Sequence, residues 1–186
     1  MAEQNSMRDK RRIREGDFRH YVFAREEVLK GTEKWLEYVG YEVQPISPVG
    51  SVQPDFHAKR QADEGTYEVM GIVRESMDET EDALTELKGL KSTFGENADY
   101  VLVFPPINEY PLLEVLLADK GRLWYEFKDQ DFMLWMQNPD DETTWCFVGA
   151  ARDTRFNDYF VLSDVPIDFF ISQRLTQLLL AEEEEE

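Results

Sequence analysis

The sequence holds one cysteine, Cys146, two histidines, His20 and His57, and no apolar run near the length that spans a membrane. A lone cysteine cannot form an intramolecular disulfide, so a reducing, cytoplasmic setting is the expectation. It also excludes a cysteine zinc site, and the two histidines have no zinc-ligand spacing. A bilayer span needs about 20 consecutive apolar residues, and none occurs, so no membrane partner is expected. The first residues, Met1 to Arg14, are polar and lack the apolar segment of a signal peptide. No Gly-x-Gly-x-x-Gly or Gly-Lys-Ser/Thr stretch is present to cradle a phosphate.

Positive charge is also scarce. Against 39 Asp and Glu stand 20 Lys and Arg, a net charge of -19. The imbalance is uneven: residues 1–30 carry 8 Lys/Arg and 6 Asp/Glu, so the remainder holds the whole deficit. The basic residues at the start, Arg8, Lys10, Arg11, Arg12 and Arg14, read as a flexible arm over residues 1–17 that either clamps phosphates or is a plain leader. The sequence closes on Glu182 to Glu186, an acidic tail that reads as a solvated end or as an arm for a basic partner.

A chain of 186 residues at 42% hydrophobic content fits one domain with one sizeable core, placed between arm and tail over residues 18–181. Helical spacing of Val28, Leu29, Trp35, Leu36 and Val39 predicts a helix over 21–39, stopped by Gly40. Gly31 weakens it. Residues 41–46 alternate like a short strand. Residues 55–58 and 66–74 read as two strands joined by a polar turn from His57 to Gly65. A second helix is predicted over 79–94, with Ala83, Leu84, Leu87, Leu90 and Phe94 on one stripe. The apolar run 100–104 fits a strand buried on both faces. Beyond it, a short helix over 111–120 is followed by a hairpin of 122–127 with 132–136. Strands over 145–149 and 159–162 and a last helix over 167–181 complete the reading. The sum is an α/β chain with a mixed central sheet flanked by helices and a C-terminal antiparallel extension.

The chemistry-bearing stretch is Pro54-Asp55, then Glu68-Val69-Met70. Two carboxylates on paired strands can converge on a hard divalent cation. His57 shares a strand face with Asp55, though a single histidine is more often an ordinary surface or core residue. Trp124, Tyr125, Phe127, Phe132, Trp135 and Trp145 make residues 122–147 aromatic. That region is read as core packing, with base stacking or a protein partner as the alternatives.

This order of elements, with those two motifs, resembles the restriction-endonuclease-like family of PD-(D/E)XK nucleases over about residues 21–105, with 106–181 as an extension. The resemblance implies that Asp55, Glu68 and the carbonyl of Val69 bind Mg2+ or Mn2+, with Glu37 or Glu33 from the first helix completing the set. Glu86, Lys88 and Lys91 are the polar candidates on the second helix. The family's lysine position is Met70 here, which neither orients water nor stabilises charge. Lys59, Arg74, Lys88 and Lys91 are candidates for a displaced cation, and Arg74 shares strand parity with Glu68. The resemblance therefore implies either a non-catalytic binding or assembly module, or a Mg2+-dependent DNA or RNA phosphodiesterase with a displaced cation. A third reading is an acidic nucleic-acid mimic or a protein for a basic partner.

Overall fold

The computed structural model describes residues 23–46, 50–106, 109–162 and 167–185. The basic arm with Arg8, Lys10, Arg11, Arg12 and Arg14 lies outside them, as does His20. Among the described residues, six strands form one open mixed sheet, in the order β1 to β6. The first helix, α1, spans Arg25–Val39 and buries Val28, Thr32, Trp35, Leu36 and Val39. Glu27 turns back to accept the Ala24 N–H at 2.9 Å and closes its first turn. Gly40, at φ 105°, ends it, and the Tyr41 N–H bonds to the Leu36 carbonyl at 2.9 Å.

Strands β1 (Glu42–Val43), β2 (Phe56–Ala62) and β3 (Gly65–Val73) form an antiparallel meander. The ladder runs to Ala62 opposite Gly65, so the β2–β3 turn is only Asp63-Glu64. The long turn expected over 57–65 is therefore not formed: residues 57–62 keep alternating and remain paired. From β3 the chain crosses through α2 (Thr80–Phe94) to β4 (Asp99–Phe104), and through α3 (Glu109–Gln130) to β5 (Phe132–Asn138). Both crossovers give parallel pairs. Strand β6 (Thr143–Val148) returns antiparallel to β5.

The sheet separates two cores. One face packs α2, α3 and α4 (Ile167–Glu185) on Met70, Ile72, Tyr100, Leu102, Phe104 and Leu134. The other packs α1 and a 3-10 turn, Thr154–Asp158, on Phe56, Ala58, Val69, Val101 and Trp135. Strand β4 is buried on every residue, as its continuous apolar run requires.

Three expectations are corrected. Residues 122–127 are helical rather than one arm of a hairpin. Their buried members Leu123, Trp124 and Phe127 follow helical spacing, and α3 is broken only at 118–121, where Asp119, Lys120 and Gly121 have positive φ. Residues 159–162 form no strand. The Val161 N–H makes one bond to the Thr144 carbonyl, while Phe160 turns inward beside Trp35 and Trp135. The last helix runs past 181, through Glu185.

Candidate functional site

Asp55 stands at the mouth of β2, where its own N–H bonds to the Gly71 carbonyl at 2.8 Å. Its Oδ2 accepts the Val73 N–H at 2.7 Å and lies 3.2 Å from Nη1 of Arg74. Its Oδ1 meets Nη2 of Arg25. Arg25 belongs to the first turn of α1 and reaches round the sheet end, also donating to the Val73 carbonyl at 3.3 Å. Arg74 continues the network to Oε1 of Glu86 on α2 at 2.5 Å. Both guanidinium side chains are largely or half covered, and Asp55 is 15% exposed. Desolvation works against the Arg74 charge, but the hydrogen bond and charge of Glu86 and the charge of Asp55 outweigh it and raise its pKa.

Glu68 shares this sheet face but forms a separate cluster. The register sets it opposite Lys59, and sets Met70 opposite His57 and Gly71 opposite Phe56. Continued by one residue, the same register puts Ile72 across from Asp55, four residues along from Glu68. At about 3.3 Å per residue that separates the two backbone positions by roughly 13 Å. The Glu68 Oε1 lies 2.5 Å from Nε2 of His57 and 3.4 Å from Nζ of Lys59. The structure thus brings Arg74 to Asp55 and brings His57 and Lys59 to Glu68, and it does not bring the two carboxylates to one another.

The remaining candidates lie elsewhere. Val69 is buried in β3, facing the α1 side. Glu33 and Glu37 ride on α1, across the sheet from the side chains of Asp55 and Glu68. Burial and the neighbouring Glu37 raise the pKa of Glu33. Lys88 pairs with Glu126 on α3, and Lys91 donates to the Gln130 carbonyl at 2.8 Å and pairs with Glu96 at 3.0 Å. Trp124, Phe127, Phe132 and Trp135 are core residues, and Tyr125, 43% exposed, is the open member of the aromatic region. Among the described residues no group of three or more His, Cys, Asp or Glu is arranged to hold a metal ion.

Two polar clusters were not foreseen from the sequence. Arg60 holds Asp153 through Nε and Nη2, each at 2.7 Å, and the Tyr41 hydroxyl donates to the same carboxylate at 2.7 Å. Asp99, at the start of β4, is 8% exposed and accepts the Arg152 N–H at 3.0 Å. Burial pushes its carboxyl up to about 6, with the Arg152 N–H and charge pulling the other way. Neither cluster has a local sequence signature, because the partners lie 93 and 53 residues apart.

No protein-family model matches the chain, and no curated protein does. Among the described residues, no helix is long and apolar enough to cross a membrane.

Proposed function

We propose that the chain is a non-catalytic binding or assembly module built on a restriction-endonuclease-like framework. The observation that carries this reading is the saturation of Asp55. One oxygen takes Arg25, and the other takes Arg74 and a backbone N–H. A second metal-binding carboxylate would need to stand across the hairpin from Asp55, and that position holds buried Ile72. A divalent cation there would have to displace two guanidinium groups and would gain only one carboxylate. The net charge of -19 supports a partner with a basic surface, in a reducing cytoplasmic setting, over a polyanion.

Isothermal titration of Mg2+ and Mn2+ tests the reading. No saturable binding is expected. Binding that both Asp55→Ala and Glu68→Ala abolish would overturn it in favour of the second reading, a Mg2+-dependent DNA or RNA phosphodiesterase. One observation favours that alternative: Arg74 reaches Asp55, as a cation displaced from position 70 would have to.

A further inference from the structure

At the end of the sheet opposite Asp55, the starts of β4 and β5 and the segment after β6 enclose a pocket of about 260 Å³, open on one side. It is lined by Lys91, Asp99, Asp131, Ala150, Ala151 and Arg152, among others. Sites for drug-sized ligands run from about 300 Å³ upward, so this one suits a smaller molecule.

The charged groups divide into those already engaged and those left open. Lys91 is held by the Gln130 carbonyl and Glu96. The Tyr100 hydroxyl, also on the lining, donates to the Gly95 carbonyl at 2.7 Å. Asp99 is different. Its Oδ2 takes the Arg152 N–H, and its Oδ1 forms an ion pair with Nε of Arg152 at 3.6 Å, longer than a hydrogen bond, so its side toward the pocket stays open to a further donor. Asp131, at the left-handed turn between α3 and β5, is exposed at the pocket's mouth. The Arg152 side chain is 45% exposed, and its two Nη groups make no bond among the described residues. The pocket therefore presents a buried carboxylate, Asp99, held by one N–H and a long ion pair from Arg152, an exposed carboxylate, Asp131, and the exposed outer edge of the Arg152 guanidinium. An ammonium group between the two carboxylates adds charge-assisted hydrogen bonds to both, and a carboxylate adds them to the open edge of the guanidinium.

We propose that this pocket binds a small molecule carrying both an ammonium and a carboxylate, of the free amino acid class. The ammonium sits between Asp99 and Asp131, and the carboxylate lies on the Arg152 fork. Lys91 shapes the floor without giving up its own bonds. The inference is independent of the reading of Asp55, which lies at the far end of β2 and β3.

The test is an NMR titration of the folded protein, following the amides of residues 98–100 and 150–152. The probes are L-alanine, L-serine and L-glutamine, with methylammonium and acetate as half-ligands. Saturable shifts with at least one amino acid are expected, at concentrations about tenfold or more below those needed for either half-ligand. Arg152→Gln keeps the backbone N–H that Asp99 needs, so the fold is retained while binding is lost. Asp99→Asn is expected to lose it as well, and Asp55→Ala to leave it unchanged. The proposal is overturned by absence of saturation with all three amino acids. Acetate binding as well as they do, or unchanged binding in Arg152→Gln, overturns it equally.

Discussion

Asp55 and Glu68 point from the same face of the β2–β3 pair, yet each closes on cations of its own, Arg25 and Arg74 for the first and His57 and Lys59 for the second. The backbone register sets this arrangement. With Lys59 opposite Glu68 and Ile72 opposite Asp55, the side chains of the two carboxylates do not span the roughly 13 Å between those backbone positions. The polar groups on this face work as two ion-pair clusters.

Stability distinguishes a structural Asp55 from one kept for a metal. Asp55→Asn removes the charge that compensates two guanidinium groups, one of them 14% exposed, and leaves the Val73 N–H with a weaker acceptor. A cost of about 2 kcal/mol is expected in urea unfolding. Glu68→Gln, at a largely covered pair where the amide oxygen still accepts from His57 and Lys59, is expected to cost less than Asp55→Asn, about 1 kcal/mol. An acid reserved for a cation would behave in the opposite way, because its removal relieves strain stored for function. A stabilised Asp55→Asn variant would therefore contradict the structural role.

Arg60 and Asp153 make the strongest polar tie between the hairpin and the end of the fold. The pair is bidentate, Asp153 is 3% exposed in its side chain, and Tyr41 adds a third bond. Burial opposes the Asp153 charge, but the bonds from Arg60, Tyr41 and the Arg155 N–H outweigh it and hold the carboxyl below its ordinary range. Asp153→Ala strands the Arg60 guanidinium and is expected to cost about 3 kcal/mol. Tyr41→Phe removes one bond only and is expected to cost about 1 kcal/mol. A double-mutant cycle of Arg60→Met with Asp153→Ala is expected to give a coupling well above that of an exposed pair, and additive losses would refute the tie.

How much of this was legible in the sequence differs from element to element. Helices α1 and α2 and strand β4 follow from spacing and from an apolar run, because each buries a face that the pattern itself defines. Residues 122–127 are ambiguous in sequence because Leu123, Trp124 and Phe127 suit either a strand rich in aromatics or a helical stripe. Packing onto the sheet decides between them. The placement of the carboxylates depended on one turn. A long loop over 57–65 would bring Asp55 near the level of Glu68. The two-residue turn at Asp63-Glu64 keeps the ladder paired to its tip and slides Asp55 opposite Ile72. Polar residues such as Lys59, Arg60 and Gln61 looked like loop, and their partners were too remote in sequence to be seen.

Asp99 gives a pH dependence of the opposite sign to that of Asp153. Burial raises its folded pKa to about 6 from an ordinary 3.8, so the folded state holds the proton more tightly than the unfolded chain. Its charge is thus a cost at neutral pH, and that cost is relieved as pH falls from about 7 to about 4. Asp99→Asn keeps an acceptor for the Arg152 N–H and removes the charge. It is expected to stabilise the protein by on the order of 2 kcal/mol near pH 7.5, with the gain vanishing near pH 4. Thermal unfolding of both proteins across that range measures the difference directly, and a gain independent of pH would refute the assignment.

Gly31 sets a helix preference against packing. At a mid-helix position, Gly→Ala is ordinarily stabilising by about 1 kcal/mol, and α1 would gain it. Here a Cβ would lie 2.4 Å from Oε1 and 2.9 Å from Cδ of Gln137, a side chain that is fully buried on β5. Gln137 cannot swing out to solvent, since its neighbours on that side are α1 and the paired Thr144, itself buried. The overlap must then be relieved by shifting α1 from the sheet, and overpacking of this kind costs about 1–3 kcal/mol. Gly31→Ala is therefore expected to destabilise, and Gly31→Ala with Gln137→Ala to recover part of the loss. At Gly71 the conflict is harsher, because a Cβ would meet the Phe56 ring at 2.2 Å and Val101 at 2.8 Å. Gly71→Ala should cost more than Gly31→Ala in the same urea titration. A stabilised Gly31→Ala would mean that helix propensity outweighs the contact with Gln137.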